Sequence, residues 1–302
     1  MLNRRLSIAS CLLALSATAS WTFVGCSSSS SNGGTTDAGT TDAASMDGSA
    51  SDGGADADEA GASDQSGFVY VIGDSSEVDG GTKSSYRAGA SFVRANGPDT
   101  TRTSKTVGPC EVETLTDATP QDQDVSAGTV HIQGGSKNLD LVPKADATYE
   151  ELTAASLLFG GGESLTAKAD GKGVPAFTTT LTAPSKITLS APAPTAGTIT
   201  VTKSTGLTAT FSGSSSGKVV LYFSATTATN AYSARCKFPA NAGTAQVPAE
   251  ALTDIPAGDG FYDFYVEERS DVAPAGWQIH FTASKAMVDG SGTALTGQAV
   301  FQ

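Results

Sequence analysis

"VYVIGDSSEVDG", Val69 to Gly80, is the stretch on which the fold turns. A short apolar strand runs into Gly73-Asp74-Ser75. A helix directly after Ser75 would make an α/β chain that presents a serine at the strand end. Ser75 is succeeded instead by Ser76-Glu77-Val78 and then by Asp79-Gly80-Gly81, a hairpin-turn signal. The stretch reads as a strand and a turn.

The same texture extends in both directions. Short alternating runs recur as "FVYVI" (68–72), "TVHIQ" (129–133), "ITVT" (199–202), "LTATF" (207–211), "KVVLYF" (218–223), "YSARCKF" (232–238), "FYDFYVEE" (261–268) and "WQIHFTA" (277–283). Val, Thr, Tyr and Phe suit strands. Asn96-Gly97, Asp170-Gly171, Asp259-Gly260 and Asp289-Gly290 read as the turns between them. One helix candidate, 149–158, competes with a strand ending before Gly160. The expectation is an all-β chain, an antiparallel β-sandwich built as two packed halves. Pro184, Pro192 and Pro194 cluster near the boundary, which places an N-terminal β domain at 67–185 and a second at 186–302. The strand-turn rhythm of the second resembles immunoglobulin-like or fibronectin type III-like modules, without the antibody-type Cys–Trp–Cys order.

Gly73-Asp74-Ser75 resembles the opening block of the GDS-type serine esterases, so Ser75 is weighed as a nucleophile. Such an enzyme needs a strand-to-helix turn, oxyanion donors and a histidine base. The family's later Asp-x-x-His is missing, because Gly128 and Trp277 stand three residues before His131 and His280. Gly213-Ser214-Ser215-Ser216-Gly217 fits the nucleophile-elbow string but joins two strands, so it reads as a hairpin loop. Both histidines read as solvent-facing strand residues. Two histidines and two bridged cysteines leave a transition metal short of ligands. No cofactor is expected.

The N-terminus carries a different message. Arg4 and Arg5 precede an apolar run of Leu6, Ile8, Leu12, Leu13 and Leu15, which reads as a signal peptide over 1–25. The run is interrupted by Ser7, Ser10, Ser16 and Thr18, which argues against a permanent membrane span. Phe23-Val24-Gly25-Cys26 resembles the lipobox of bacterial lipoproteins, with Phe23 where leucine is usual. That resemblance implies lipidation of Cys26, and the neutral Ser27 after it implies outer-membrane sorting. The alternative is a plain secretory signal cut near Ala19 or Ser20. Residues 26–66 are almost all Ser, Gly, Thr, Ala and Asp; this stretch cannot bury enough surface to offset its ordering entropy and reads as a disordered tether. Forty such residues span about 35 Å as a random coil. Within it, Asp56 to Gly61 begins like a calcium loop, but Ala60 and Gly67 occupy ligand positions.

Four cysteines then sort themselves. Cys11 leaves with the signal and Cys26 takes the lipid. Cys110 shares a strand face with Val112, and Cys236 shares one with Tyr232, Ala234 and Phe238, so both sulfurs point at a core. In an exported protein they are expected to form a disulfide. The chain holds 31 Asp and Glu against 18 Lys and Arg, a net −13. That balance argues against nucleic-acid partners and against adhesion to anionic lipid headgroups. Membrane attachment must come through the lipid.

Weak calcium candidates are Asp117, Asp122 and Asp124 in one loop, and Asp254 and Asp259 in another; a solvated acidic loop is the simpler reading of each. "GFYDFYVEE" places Tyr262 and Phe264 on one face and Phe261 and Tyr265 on the other. With Tyr222, Phe261 and Tyr265 form a candidate platform for a glycan or protein partner. The bland counterpart is a strand buried on both faces. The expected function is a lipid-anchored cell-envelope protein with a non-enzymatic binding or structural role. The alternative is a polysaccharide-acting enzyme that uses Asp or Glu.

Overall fold

The computed structural model describes residues 65–78, 81–95, 102–116, 122–213 and 215–302. Its first strands are two hairpins, β1 (Gln65–Val78) with β2 (Gly81–Arg94), and β3 (Arg102–Val107) with β4 (Cys110–Thr116). Short strands come after them: β5 (Gln123–Asp124), β6 (Val130–Gln133), β7 (Leu139–Leu141), β8 (Leu152–Ala154), β9 (Ser164–Ala169) and β10 (Phe177–Thr182). Next come β11 (Thr188–Ala191), β12 (Thr198–Val201), β13 (Leu207–Ser212), β14 (Lys218–Thr226), β15 (Asn230–Pro239) and β16 (Thr244–Val247). The last three are β17 (Gly258–Val272), β18 (Gln278–Ala286) and β19 (Thr296–Phe301). Apart from two 3₁₀ turns, the described residues hold no helix, and so none long and apolar enough to cross a membrane.

The chain is all-β and the sandwich is asymmetric. Twelve strands form one large sheet, with β3-β4-β15-β14-β17-β18-β1-β2-β5 in line and β8, β12 and β19 attached beside it. Two small sheets, β10-β9-β6-β7 and β11-β13-β16, complete the architecture. Most pairings are antiparallel; β1 with β18 and β12 with β19 are parallel. β17 joins the large sheet's two parts, pairing with β14 over Phe261–Glu267 and with β18 over Tyr265–Val272.

Register explains where the cores lie. Side chains alternate across a strand, so Phe264 and Val266 of β17 share a face with Leu221, Phe223, Ala234 and Cys236. This face packs on Leu189, Ala209, Phe211 and Val247 of the three-stranded sheet. Further along the same face, Val69, Val71, Ala88, Ile279 and Phe281 pack on Val130, Ile132, Leu165, Ala167 and Leu181 of the four-stranded sheet. Two cores therefore sit side by side on one face, and each fully buried Leu, Ile or Phe contributes about 1.5–3 kcal/mol. They do not divide by sequence. β4 brings Cys110 and Val112 to the core on the three-stranded sheet (the second core), while β18 brings Ile279 and Phe281 to the core on the four-stranded sheet (the first core).

Cys110 and Cys236 stand directly opposite in the β4–β15 register and are joined as the expected disulfide, 126 residues apart. A buried lysine ties the first core to its loop. Lys285 Nζ donates to the Gly160 carbonyl at 2.6 Å, and the Glu163 carboxylate accepts from the Gly160 and Gly161 amides, 2.7 Å each.

Two local expectations are corrected. Asp259-Gly260 is not a turn: it lies in β17, opposite Val300 and Ala299. Glycine is needed there for close packing, since a Cβ at position 260 would sit 2.4 Å from the Ser224 carbonyl and 2.5 Å from the Phe301 ring. Residues 149–158 form no helix. Tyr149 instead spans the loop, its hydroxyl accepting from the Ala127 amide at 2.9 Å and donating to the Gly128 carbonyl at 2.7 Å. Leu152–Ala154 adds to the edge of β2.

Candidate functional site: the open face of the large sheet

Both small sheets cover the same face of the large sheet, so the site to consider is the other face. Its composition is set by the registers. β17 contributes Phe261, Asp263, Tyr265, Glu267, Arg269 and Asp271; β14 contributes Tyr222 opposite Asp263, and β15 contributes Arg235 opposite Tyr222. β1 and β2 add Phe68, Tyr70, Ile72, Asp74 and Arg87, and β18 adds His280. Aromatic and charged side chains alternate across it. Such a surface offers rings for stacking and polar groups for hydrogen bonds.

The platform residues fall in different environments. Tyr222 and Phe261 are half-buried on this face. Tyr265 shares the face but is only 8% exposed, which takes it out of any exposed platform. Its hydroxyl accepts from Arg235 Nε at 3.1 Å, and the same guanidinium bonds the buried Glu267 carboxylate. Burial pushes the Tyr265 phenol up, against the pull of Arg235. The reason for its burial is in the strand itself: Phe264 to Glu267 are buried without interruption, so this part of β17 is enclosed on both faces. Tyr265→Ala is therefore expected to lower stability by about 3 kcal/mol or more, through a lost aromatic and a hydrogen bond removed from Arg235. Urea denaturation checks this; a loss under about 1 kcal/mol contradicts the burial.

At the centre of the face two carboxylates from distant parts of the sequence meet. Asp74 lies at the end of the apolar half of β1, and Asp263 in the middle of β17. Burial raises both, with Arg87 pulling each back down and the Asp74 charge adding to the rise at Asp263. The Asp263 carboxyl is pushed up to about 8, so it is protonated at neutral pH. Beside it in register on β19 is Thr296, whose buried hydroxyl has no hydrogen-bond partner among the described residues. Tyr70 is held on the same face by its hydroxyl, which donates to Glu151 Oε2 at 2.6 Å. The Tyr70 ring lies over Gly89, where a Cβ would come within 2.5 Å of the phenolic oxygen.

The remaining sequence candidates are dispersed. β1 continues as a strand through Ser75 to Val78 and returns as β2 from Gly81, with no helix after the serine; this is not an esterase elbow. Gly213 to Gly217 joins β13 to β14; Ser214 lies outside the described residues. Cys26, the tether up to residue 64 and Asp117 also lie outside them; Gln65 and Ser66, expected in the tether, open β1 instead. Asp122 and Asp124 are exposed; desolvation, then the charges of Asp146 and Asp122, raise the Asp124 carboxyl. Asp254 pairs with Lys105 at 2.6 Å, and Asp259 accepts from Gln298 at 3.0 Å. Among the described residues no group of three His, Cys, Asp or Glu is placed to hold a metal. His131 and His280 are partly exposed and each contacts acid: His131 lies 2.7 Å from Asp140 and 3.3 Å from Asp170, and His280 lies 2.8 Å from Asp271.

Two shallow depressions lie elsewhere. One, of about 290 Å³, is lined by Gly134, Gly135, Leu157, Phe159, Gly160 and Glu163. The other, of about 500 Å³, runs between Pro192 and Thr200 at the β12 edge. Neither contains Asp74 or Asp263. No family model matches this chain, and no curated protein matches it either.

Proposed function

We propose that this chain is a lipid-anchored protein of the bacterial cell envelope, carried in the outer membrane, whose folded part has a binding or structural role without catalysis. Cys26 would carry the lipid, residues 27–64 would act as the tether, and the β-sandwich would work at a distance from the bilayer. The observation that carries the binding role is the face of the large sheet opposite its two small sheets, half-buried at Tyr222 and Phe261 and closed over Tyr265 and Glu267. A twelve-stranded sheet leaves one side free of its two small sheets, and that side bears Tyr222, Phe261, Tyr70 and Phe68 among matched charges. The matching limits the face's net charge: Arg235 bonds Glu267, Arg102 lies 3.5 Å from Glu113, and Arg269 lies 2.6 Å from Asp271.

The experiment is protease shaving of intact Gram-negative cells that express the full chain with a C-terminal tag. The folded part is expected to remain with the envelope fraction. Its loss from unbroken cells would mean that it faces outward; protection until the outer membrane is opened would mean that it faces the periplasm. Recovery in the cytosol or the culture medium contradicts the reading.

Asp74 and Asp263 favour one second reading, a polysaccharide-acting enzyme. A protonated carboxyl beside a second carboxylate is the equipment of general acid–base chemistry. Hydrolysis of an envelope polysaccharide, abolished by Asp263→Asn or Asp74→Asn alone, would establish it. Binding without turnover would remove it.

A further inference from the structure

We propose that the outer edge of β3 is a self-pairing surface, on which a second copy of this chain adds its own β3 in antiparallel register and carries the large sheet through both copies. This goes beyond the envelope reading above and does not depend on the lipid.

The first observation is an open ladder. β3 ends the line of the large sheet and pairs, among the described residues, with β4 alone. The direction of its free groups follows from the register. Lys237 of β15 donates to the Pro109 carbonyl at 2.9 Å, so the next residue, Cys110, turns its backbone groups toward β3 and its partner Val107. Backbone groups alternate sides along a strand. Lys105 therefore faces β4 as Val107 does, while the N–H and C=O of Ser104 and Thr106 point away from the sheet and meet no strand among the described residues. Thr103 to Thr106 are exposed in succession. The opposite end of the line offers no such ladder, because β5 is two residues long.

The second is that nothing guards this edge. Exposed edges are ordinarily blunted by a proline, a bulge or a lysine. β3 has no proline and keeps unbroken register with β4 from Arg102 to Val107. Its one lysine is held within the subunit, Lys105 Nζ lying 2.6 Å from Asp254, and Arg102 lies 3.5 Å from Glu113. Each cation is thus matched by a carboxylate of its own chain. The net −13 opposes close approach of two copies elsewhere, and the matched edge is where that repulsion is weakest.

The third is that β3 matches itself. A two-fold axis through Ser104 brings outward-facing residues opposite one another, as antiparallel pairing requires. Ser104 then faces the partner's Ser104, Arg102 faces the partner's Thr106, and Thr103 faces the partner's Lys105. No like charges meet on this ladder. A strand from a different protein needs no such symmetry in β3; a second copy does.

Sedimentation velocity of the full-length protein in a nonionic detergent, at rising concentration, tests this alongside cross-linking in the expressing cells. Monomer and dimer are expected, with dimer gaining as concentration rises. Ser104→Pro removes an outward N–H, which an edge strand tolerates, and is expected to stay monomeric where the wild type pairs. Ser104→Cys sets two thiols across the axis with Cα atoms about 5.5 Å apart, within disulfide reach. Mild oxidation is expected to join it into a homodimer, and to join little of Thr180→Cys, exposed on the outer face of the four-stranded sheet. A wild type that stays monomeric overturns the inference. So does dimer retained in Ser104→Pro, which is also what two lipidated chains sharing a micelle would give. Cross-linking as strong through Thr180→Cys overturns it, and so does a Ser104→Cys adduct with a different protein, which would assign the edge to a foreign strand. If Ser104→Pro unfolds, the two cysteine variants decide the matter by themselves.

Discussion

Replacing both Cys110 and Cys236 with alanine is expected to lower the unfolding free energy by about 4–5 kcal/mol, and reduction of the native bridge to do the same. The bridge closes a loop of 126 residues, and loop-closure entropy gives that magnitude for a loop of this size. It also ties β4, which enters the chain before most of the first core, to β15 of the second. Without it the β3–β4 hairpin is held by backbone pairing to β15 and by Val112 in the core, so this edge of the large sheet loosens first. Urea unfolding with and without reductant measures the difference, and hydrogen exchange at Glu111 to Leu115 reports the local loosening. A midpoint unchanged by reductant would falsify the assignment of the bridge as a stabilising link within the large sheet.

The second large effect is a pH dependence centred on Asp263. Its folded carboxyl is raised from 3.8 to about 8, mainly by burial and then by the Asp74 charge. Below about pH 4 the folded and unfolded chains both hold the proton, and above about pH 8 neither does. Between these limits the folded chain keeps a proton that the unfolded chain has released. Stability therefore falls as pH rises through this window, by up to about 1.4 kcal/mol per pH unit and several kcal/mol in all. Asp74, raised for the same reason, acts in the same direction. Asp263→Asn keeps the shape and removes the ionisation, so its stability is expected to exceed that of the wild type at about pH 8 and to converge with it near pH 4. Thermal melts of both proteins across this range give the difference curve. Parallel curves would mean that Asp263 ionises as an ordinary surface carboxylate.

Strands announce themselves locally, and this sets how much of the fold is legible in the sequence. Alternation, β-branched and aromatic content and turn residues are local signals, and they carry the all-β class. The cysteine pair is legible as well, because each sulfur lies on the apolar face of an alternating run and the expected exported setting permits oxidation. Partner choice is not local. Nothing near Ser66 or Gln278 announces that β1 and β18 will run parallel side by side, nor that β4 will join a core made mostly of residues after 186. Asp259-Gly260 has the composition of a turn, and only the crowding by Ser224 and Phe301 explains a glycine inside a strand.

The candidate site shows the same division. Tyr222 and Phe261 can be nominated from their strands, but the burial of Tyr265 depends on Arg235 and Glu267, which reach it from β15 and from its own strand. Asp263 carries a signal that can be read in retrospect: a single acid placed among four aromatics in "FYDFY". Its meeting with Asp74, far earlier in the chain, is a product of the β17–β18–β1 order alone. The opening Gly73-Asp74-Ser75 matters in the structure, through its aspartate and not its serine.

The lipid on Cys26 is the premise of the envelope reading, and metabolic labelling with a radioactive or alkyne-bearing fatty acid tests it most directly. Full-length protein expressed in a Gram-negative host is expected to take up label and sediment with membranes. The Cys26→Ser variant is expected to take up none and to appear in the soluble fraction. An unlabelled wild type, or label that persists in the variant, would contradict the lipid anchor and with it the proposed place of this protein in the cell.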